Sequence, residues 1–372
     1  MTGTQAWLRA IAWASTERGK RILIQAALAT AVAAVIVLMV WNVALNLERQ
    51  SLRLGFDFLN RPAGFSVLQT LIPFNETSSY GRAFVVGLLN TLLVAALGIV
   101  ASTLLGFTVG FARLAPNRIV RAAAAVYVEV FRNLPLLLVL FFLYFGLLRQ
   151  LPAPRQSFEL FGAYLNNRGL FVPFPEMTAL HVVLLFATAI TAIVALFWRQ
   201  QRRWFAIAAL AAVLAFVLLP GLSVTWPQPR GLSITGGARL IPEFVGLVLA
   251  LTVYSAAYIA EIVRAGIEGV ARGQGEAAEA LGFSPWQRAR LIILPQALRL
   301  IVPPLTSQFL NLTKNSSLAV AIAYPDLVSV FAGTALAQTG QAVEIIGITM
   351  LVYLSLSLLT AAVINVRSPR WR

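Results

Sequence analysis

The residues able to do chemistry are few, and they sit in apolar company. Glu129 and Arg132 lie three positions apart in an otherwise apolar stretch, and Glu261 and Arg264 repeat that spacing. A charge in hydrocarbon is expensive, so such residues mark either paired sites or wet paths. Three apart on a helix puts both members on one face, and pairing within the helix is one reading. For Glu129, Arg132 and the adjoining Asn133, lining a path for a polar solute is the other. Glu261 and Arg264 stand near the end of their stretch, where reaching out to the interface is the simpler reading. A denser polar run, Gln308, Asn311, Thr313, Lys314, Asn315, Ser316 and Ser317, follows Pro303-Pro304. The double proline suggests a break in the helix whose freed backbone groups face a cavity, and the run suits either hydrogen bonds between helices or a solute path.

Covalent chemistry lacks its parts. The chain has no cysteine, which excludes disulfides, thiolate metal sites and thiol nucleophiles. His181 is the sole histidine and has no carboxylate pair beside it, so no metal centre is expected. Paired catalytic carboxylates at depth are missing as well, which ranks an intramembrane enzyme last. No Gly-rich phosphate loop ending in Lys-Ser or Lys-Thr occurs. No cofactor is expected on this chain, and any ATP must be bound by another.

The elements that position these residues are membrane helices. Of 372 residues, 59% are hydrophobic and 12% charged, and the mean hydropathy is +0.80. A soluble fold of this length could not hide so much apolar surface, so lipid is part of the solvent. Spans must satisfy their own backbone hydrogen bonds, which makes them helices. Eight are expected, near 22–41, 83–112, 121–148, 179–198, 204–220, 241–268, 296–322 and 343–365, the fourth and fifth being the weakest or a re-entrant pair. The first is too long for the apolar core of a signal peptide and reads as an uncleaved span.

Arginine and lysine set the orientation. With the N-terminus inside, eighteen fall in inner segments and nine in outer ones, so both termini are expected on the cytoplasmic side. The net charge of +15 is spread between apolar runs, which fits flanking of spans and argues against nucleic acid. The outer segments 51–80, 150–178 and 221–240 are rich in Pro, Gly and Asn and read as turns, too short for a soluble domain.

The inner loop carries the most specific pattern. It reads Gly275-Glu276-Ala277-Ala278-Glu279-Ala280-Leu281-Gly282-Phe283-Ser284-Pro285-Trp286. Strong helix formers with carboxylates in the first turn predict a helix of about two turns. Gly282 ends it, and Ser284-Pro285 caps and starts the next. Taken alone, this is either an interfacial loop with a helical turn or a knob that another protein grips.

Glu276-Ala277-Ala278, three residues, Gly282, nine residues, Ile292, one residue, Leu294-Pro295 resembles the EAA signature of ABC importer permeases. That resemblance implies that the loop 269–290 docks on an ATPase, with Glu276, Ala277, Ala278, Glu279, Gly282 and Phe283 as the coupling surface. A kink is expected at Pro295. Further stretches, Tyr127 to Leu136, Tyr258 to Gly266, Asn90-Thr91 and Asn311 to Leu318, are similar to the permeases for polar amino acids. The extra first span and the insertion at 149–240 resemble the larger permease of general L-amino acid transporters.

The resemblance implies an all-α polytopic membrane protein with the type I ABC importer permease fold. Its core would be five helices at 83–148 and 241–366, with additions at 1–82 and 149–240 and a short tail at 367–372. It also implies a bacterial inner membrane, a second homologous permease, a homodimeric ATPase holding ATP and magnesium, a periplasmic amino acid-binding protein, and an L-amino acid as cargo. Glu129, Arg132, Asn133, Gln308, Asn311, Lys314, Asn315 and Ser316 are the candidate path-lining residues. An ion-coupled secondary transporter is the competing reading; it would want internal repeats and more deep carboxylates than Glu129.

Overall fold

The computed structural model describes residues 16–49, 55–176, 223–231 and 233–365, with isolated positions between 181 and 215. Among them are five helices long and apolar enough to cross a membrane, and a bent pair that makes a sixth. The helices are α1 (Glu17–Arg49), α2 (Tyr80–Ala112), α3 (Arg118–Asn133), α4 (Leu136–Gln150), α5 (Pro242–Glu268), α6 (Arg272–Ala280), α7 (Pro285–Ile322), α8 (328–339) and α9 (Ala342–Asn365). The expected spans 179–198 and 204–220 lie outside the described residues apart from those isolated positions.

The core is the α2–α5 pair. Small residues on α2 let the two backbones approach closely. A Cβ at Gly106 would fall 2.6 Å from that of Ile259, and one at Gly110 would fall 2.8 Å from that of Val263. The facing residues of α5, among them Ala256, Ile259, Ala260 and Val263, are buried at helical spacing. Ile259 and Val263 also meet Ala297 and Ile301 of α7, which closes the inner half of the bundle. Gly106→Leu should force α2 from α5 at about 1–3 kcal/mol or more, as overpacking does. The expected readout is a lowered thermal midpoint in detergent; an unchanged midpoint would contradict this packing.

Two expectations about helix continuity are corrected. The span expected at 121–148 is two helices, α3 and α4, meeting at 108°. The cause is Pro135, which excludes Leu134 from helical dihedrals and leaves it extended, at φ −96° and ψ 140°. The double proline does the opposite of what its composition suggests. Pro303 and Pro304 lie inside an unbroken helical stretch, Leu294–Asn315, held by the buried anchors Ala297, Ile301 and Leu312. The helix changes character later, tightening to 3-10 geometry over Ser316–Ile322 and ending at a left-handed Ala323. A π-helical turn, Arg288–Ile293, lies just before Pro295.

The outer insertion is not turns alone. Strands β1 (Phe158–Leu160), β2 (Ala163–Asn166), β3 (Gly169–Val172) and β8 (Ala238–Leu240) form an antiparallel sheet in that order. β4 (Phe174–Glu176) pairs with β5 (Ser223–Thr225), and β6 (Gln228–Arg230) with β7 (Ser233–Thr235). The β3–β8 ladder, with Phe171 opposite Arg239, brings the start of the insertion back to its end at the mouth of α5. Gly169 makes that closure possible. Its φ is +126°, and a Cβ there would lie 2.1 Å from the Leu240 carbonyl oxygen.

Residues 328–339 fold back as α8 against α2 and α9. Leu327 and Phe331 are fully buried beside Phe58, Tyr80 and Ile345.

Candidate functional site

The loop after α5 builds a projecting helix, as its residues predict. α6 starts at Arg272, earlier than expected, so Glu276 and Glu279 lie past its first turn. Its end is a local hydrogen-bond knot. The amides of Leu281, Gly282 and Phe283 donate to the carbonyls of Ala277, Glu279 and Ala278. Gly282 takes φ +80°, the left-handed turn that lets the chain leave. Ser284 then caps the next helix in a reciprocal capping box with Gln287, with Pro285 at its first turn.

Burial separates the expected coupling residues. Ala278 is 3% exposed and Phe283 half-buried, so both seat α6 on the bundle. Ala278 is therefore corrected from a contact surface to an anchor. Glu276, Ala277, Glu279 and Gly282 are exposed, beside Leu281 and Trp286 at 77% and 71%. Leu281 just past α6 and Trp286 in the first turn of α7 thus leave two large apolar side chains exposed close together in the chain. Glu279 pairs with Arg288 at 2.5 Å, and Gln296 donates to Gln274 at 3.3 Å, which links α6 to the base of α7. Pro295 sits at that base and is itself exposed.

Just above, Glu261 is the hub of an ion network. It pairs with Arg113 at the end of α2, with Arg264 at 2.5 Å, and with Arg132 at 3.8 Å. Arg264 also pairs with Glu268. The expected Glu129–Arg132 pair is replaced by this wider set. Arg132 turns to Glu261 and lies over the Tyr258 ring, while the Glu129 carboxylate accepts from Asn133 Nδ2 at 3.4 Å. The Glu261–Arg264 pair forms as its spacing suggests, but as part of a junction of three helices.

The α7 polar run divides by face. Asn311 and Lys314 are exposed and Gln308 and Asn315 half-buried, whereas Ser316 is buried and its hydroxyl donates to the Thr313 carbonyl. Lys314 lines a cavity of about 470 Å³ with Ser317, Thr349, Tyr353 and Ser357. Ser316 supports the helix and is not a lining residue.

Sequence reasoning missed the buried clamp at the outer end. Asn90 Nδ2 donates to the carbonyls of Gln69 and Pro325, and Thr91 Oγ1 accepts from the Leu327 amide. Asp326 is fully buried, and burial pushes its carboxyl up to about 7. The signal was the Asn90-Thr91 pair inside an apolar span; its partner segment 235 residues away was not readable locally.

Residues 98–372 match the family described as binding-protein-dependent transport system inner membrane component. The chain belongs to that family. It is a membrane-embedded transport subunit rather than an enzyme. The chain is 48% identical to the putative amino-acid ABC transporter permease protein YhdX of Escherichia coli (strain K12), over 91% of this chain and 92% of that one. It is 49% identical to the general L-amino acid transport system permease protein AapQ of Rhizobium johnstonii, over 87% and 85%. BztB of Rhodobacter capsulatus, a glutamate/glutamine/aspartate/asparagine transport system permease protein, is 39% identical over 88% of each. A crystal structure of an amino acid ABC transporter with histidines superposes at TM-score 0.50 with 23% identity, covering 78% of this chain and 95% of that one. At that identity the likeness speaks for the fold, and the bundle of a binding-protein-dependent permease is what α2 to α9 build.

Proposed function

We propose that this chain forms half of the translocation path of an ATP-driven importer for L-amino acids in a bacterial inner membrane. Both termini face the cytoplasm, and a second, related permease supplies the other half. A homodimeric ATPase holds ATP and magnesium, and a periplasmic binding protein delivers the cargo. The near full-length similarity to three amino acid permeases supports the cargo class. The observation that carries the mechanism is α6, a short helix with exposed Glu276, Ala277, Leu281 and Gly282, pinned to α7 from behind. Closure of a motor gripping that face would push on α5 and α7 together.

Exposed polar groups on otherwise lipid-facing helices belong to a cavity or a partner. Asn311 and Lys314 on α7, with Glu129, Arg132 and Asn133 on α3, are therefore assigned to the surface that meets the second permease and the cargo. Gln308 and Asn315 flank it.

Affinity purification from native membranes tests the assembly. An ATPase and a second permease should co-purify, and the reconstituted complex should accumulate labelled amino acid only with ATP inside. Uptake that continues without ATP and collapses with an uncoupler would overturn this reading in favour of ion coupling.

A further inference from the structure

We propose that the outer mouth carries a receiving subsite for the zwitterionic head of a free amino acid, built mainly by the segments added to the core. This inference rests on the amino acid cargo proposed above. A cavity of about 480 Å³ opens between four separate stretches of chain. Its walls include Arg149 at the end of α4, Arg168 in the β2–β3 turn, Arg239 on β8 and Glu243 in the first turn of α5. Gln69 from the outer segment before α2 and Asn167 add amide groups. Its volume is within the roughly 300–1,000 Å³ of small-molecule sites.

The charges are placed for a ligand carrying both signs. Among the described residues, no carboxylate lies within salt-bridge distance of any of the three guanidiniums. Three guanidiniums to one carboxylate, Glu243, leave an excess of positive charge that raises the local concentration of anions. Arg239 is held in place. Its Nε donates to the Arg168 carbonyl at 3.1 Å, and its guanidinium lies over the Phe171 ring at 6.0 Å. Its terminal nitrogens remain for a planar, two-pronged grip on a carboxylate. Glu243 is fixed too, accepting from the Tyr144 hydroxyl at 2.6 Å, and supplies the negative partner an ammonium needs. A simple anion would gain nothing from Glu243, and a simple cation would be repelled by the arginines. An amino acid satisfies both.

The chain has no cysteine, so one introduced thiol reports on this cavity alone. Thr70 lines it and is nearly the size of cysteine. In the full complex in proteoliposomes, Thr70→Cys is labelled from outside with a membrane-impermeant maleimide, and ATP-driven glutamine uptake is measured in the same preparation. At ten times its dissociation constant, L-glutamine should slow labelling about elevenfold. L-Glutaminamide, which lacks the carboxylate, and 4-carbamoylbutyrate, which lacks the ammonium, should protect poorly. Adding Arg149→Gln, Arg168→Gln and Arg239→Gln should abolish protection by glutamine, and Glu243→Gln should remove its advantage over 4-carbamoylbutyrate. Uptake without any protection would overturn the subsite and leave the importer standing. Protection by the binding protein but not by glutamine would also overturn it, making the arginines a protein contact. Absence of ATP-driven uptake in the unsubstituted complex would instead sink the importer reading.

Discussion

Changing Gly282 to Trp should cut ATP-driven uptake by about tenfold or more, while the chain still reaches the membrane. The geometry separates two causes. A Cβ at Gly282 would meet nothing within 4 Å, so the residue is not small to avoid its own fold. Its φ of +80° costs an ordinary L-residue about 1–2 kcal/mol. Alanine therefore tests backbone strain alone, and asparagine, which tolerates the left-handed region, tests added bulk with less strain. If the open side of Gly282 receives a motor subunit, Trp should be worst, asparagine intermediate and alanine mildest. Uptake should fall further than basal ATP hydrolysis, because the motor still turns without its grip. Wild-type uptake in the Trp variant would refute the coupling role.

The helix that makes this test possible was legible because its signals are local. Gly282, Ser284 and Pro285 each act through their own dihedrals or nearest turn, so spacing alone located the exit and the cap. The bend at Asn133–Pro135 was equally local, yet the apolar run across it masked the proline. Pro303-Pro304 shows the opposite error: composition suggested a break, but buried Ala297, Ile301 and Leu312 hold the helix through it. The outer strands are three or four residues long, too short for alternation to register. β3 and β8 pair residues about seventy apart, so their partner choice is tertiary information. The same holds for the candidate sites. The polar run on α7 was visible, but which members face out depends on packing. The arginines of the outer cavity drew no notice singly, because each occupies a different segment.

Glu261→Ala should destabilise the bundle more than loss of either flanking arginine. Its side chain is 24% exposed and joins the ends of α2, α3 and α5. Arg113 is the stronger partner, being in direct contact and 14% exposed; Arg132 stands at 3.8 Å and is 39% exposed. Charge-assisted hydrogen bonds reach about 1.5–3 kcal/mol, whereas exposed pairs are worth about 0–1. Partial solvation puts the Arg113 pair at the low end of the first range and the Arg132 pair within the second. Thermal midpoints in detergent should therefore fall in the order Glu261→Ala, then Arg113→Ala, then Arg132→Ala. The Arg113→Ala/Glu261→Ala double variant should lose less than the sum of its singles, since each single leaves charge unmatched in a half-buried junction. Strict additivity would show that the contact contributes nothing. Glu261 lies about two turns from the end of α5, which leads into α6, so the junction's rigidity bears on force as well as stability. A motor pushing on α6 moves α5 and the α2 packed on it, and Glu261 stiffens their link to α3; without that tie, uptake should fall further than ATP hydrolysis.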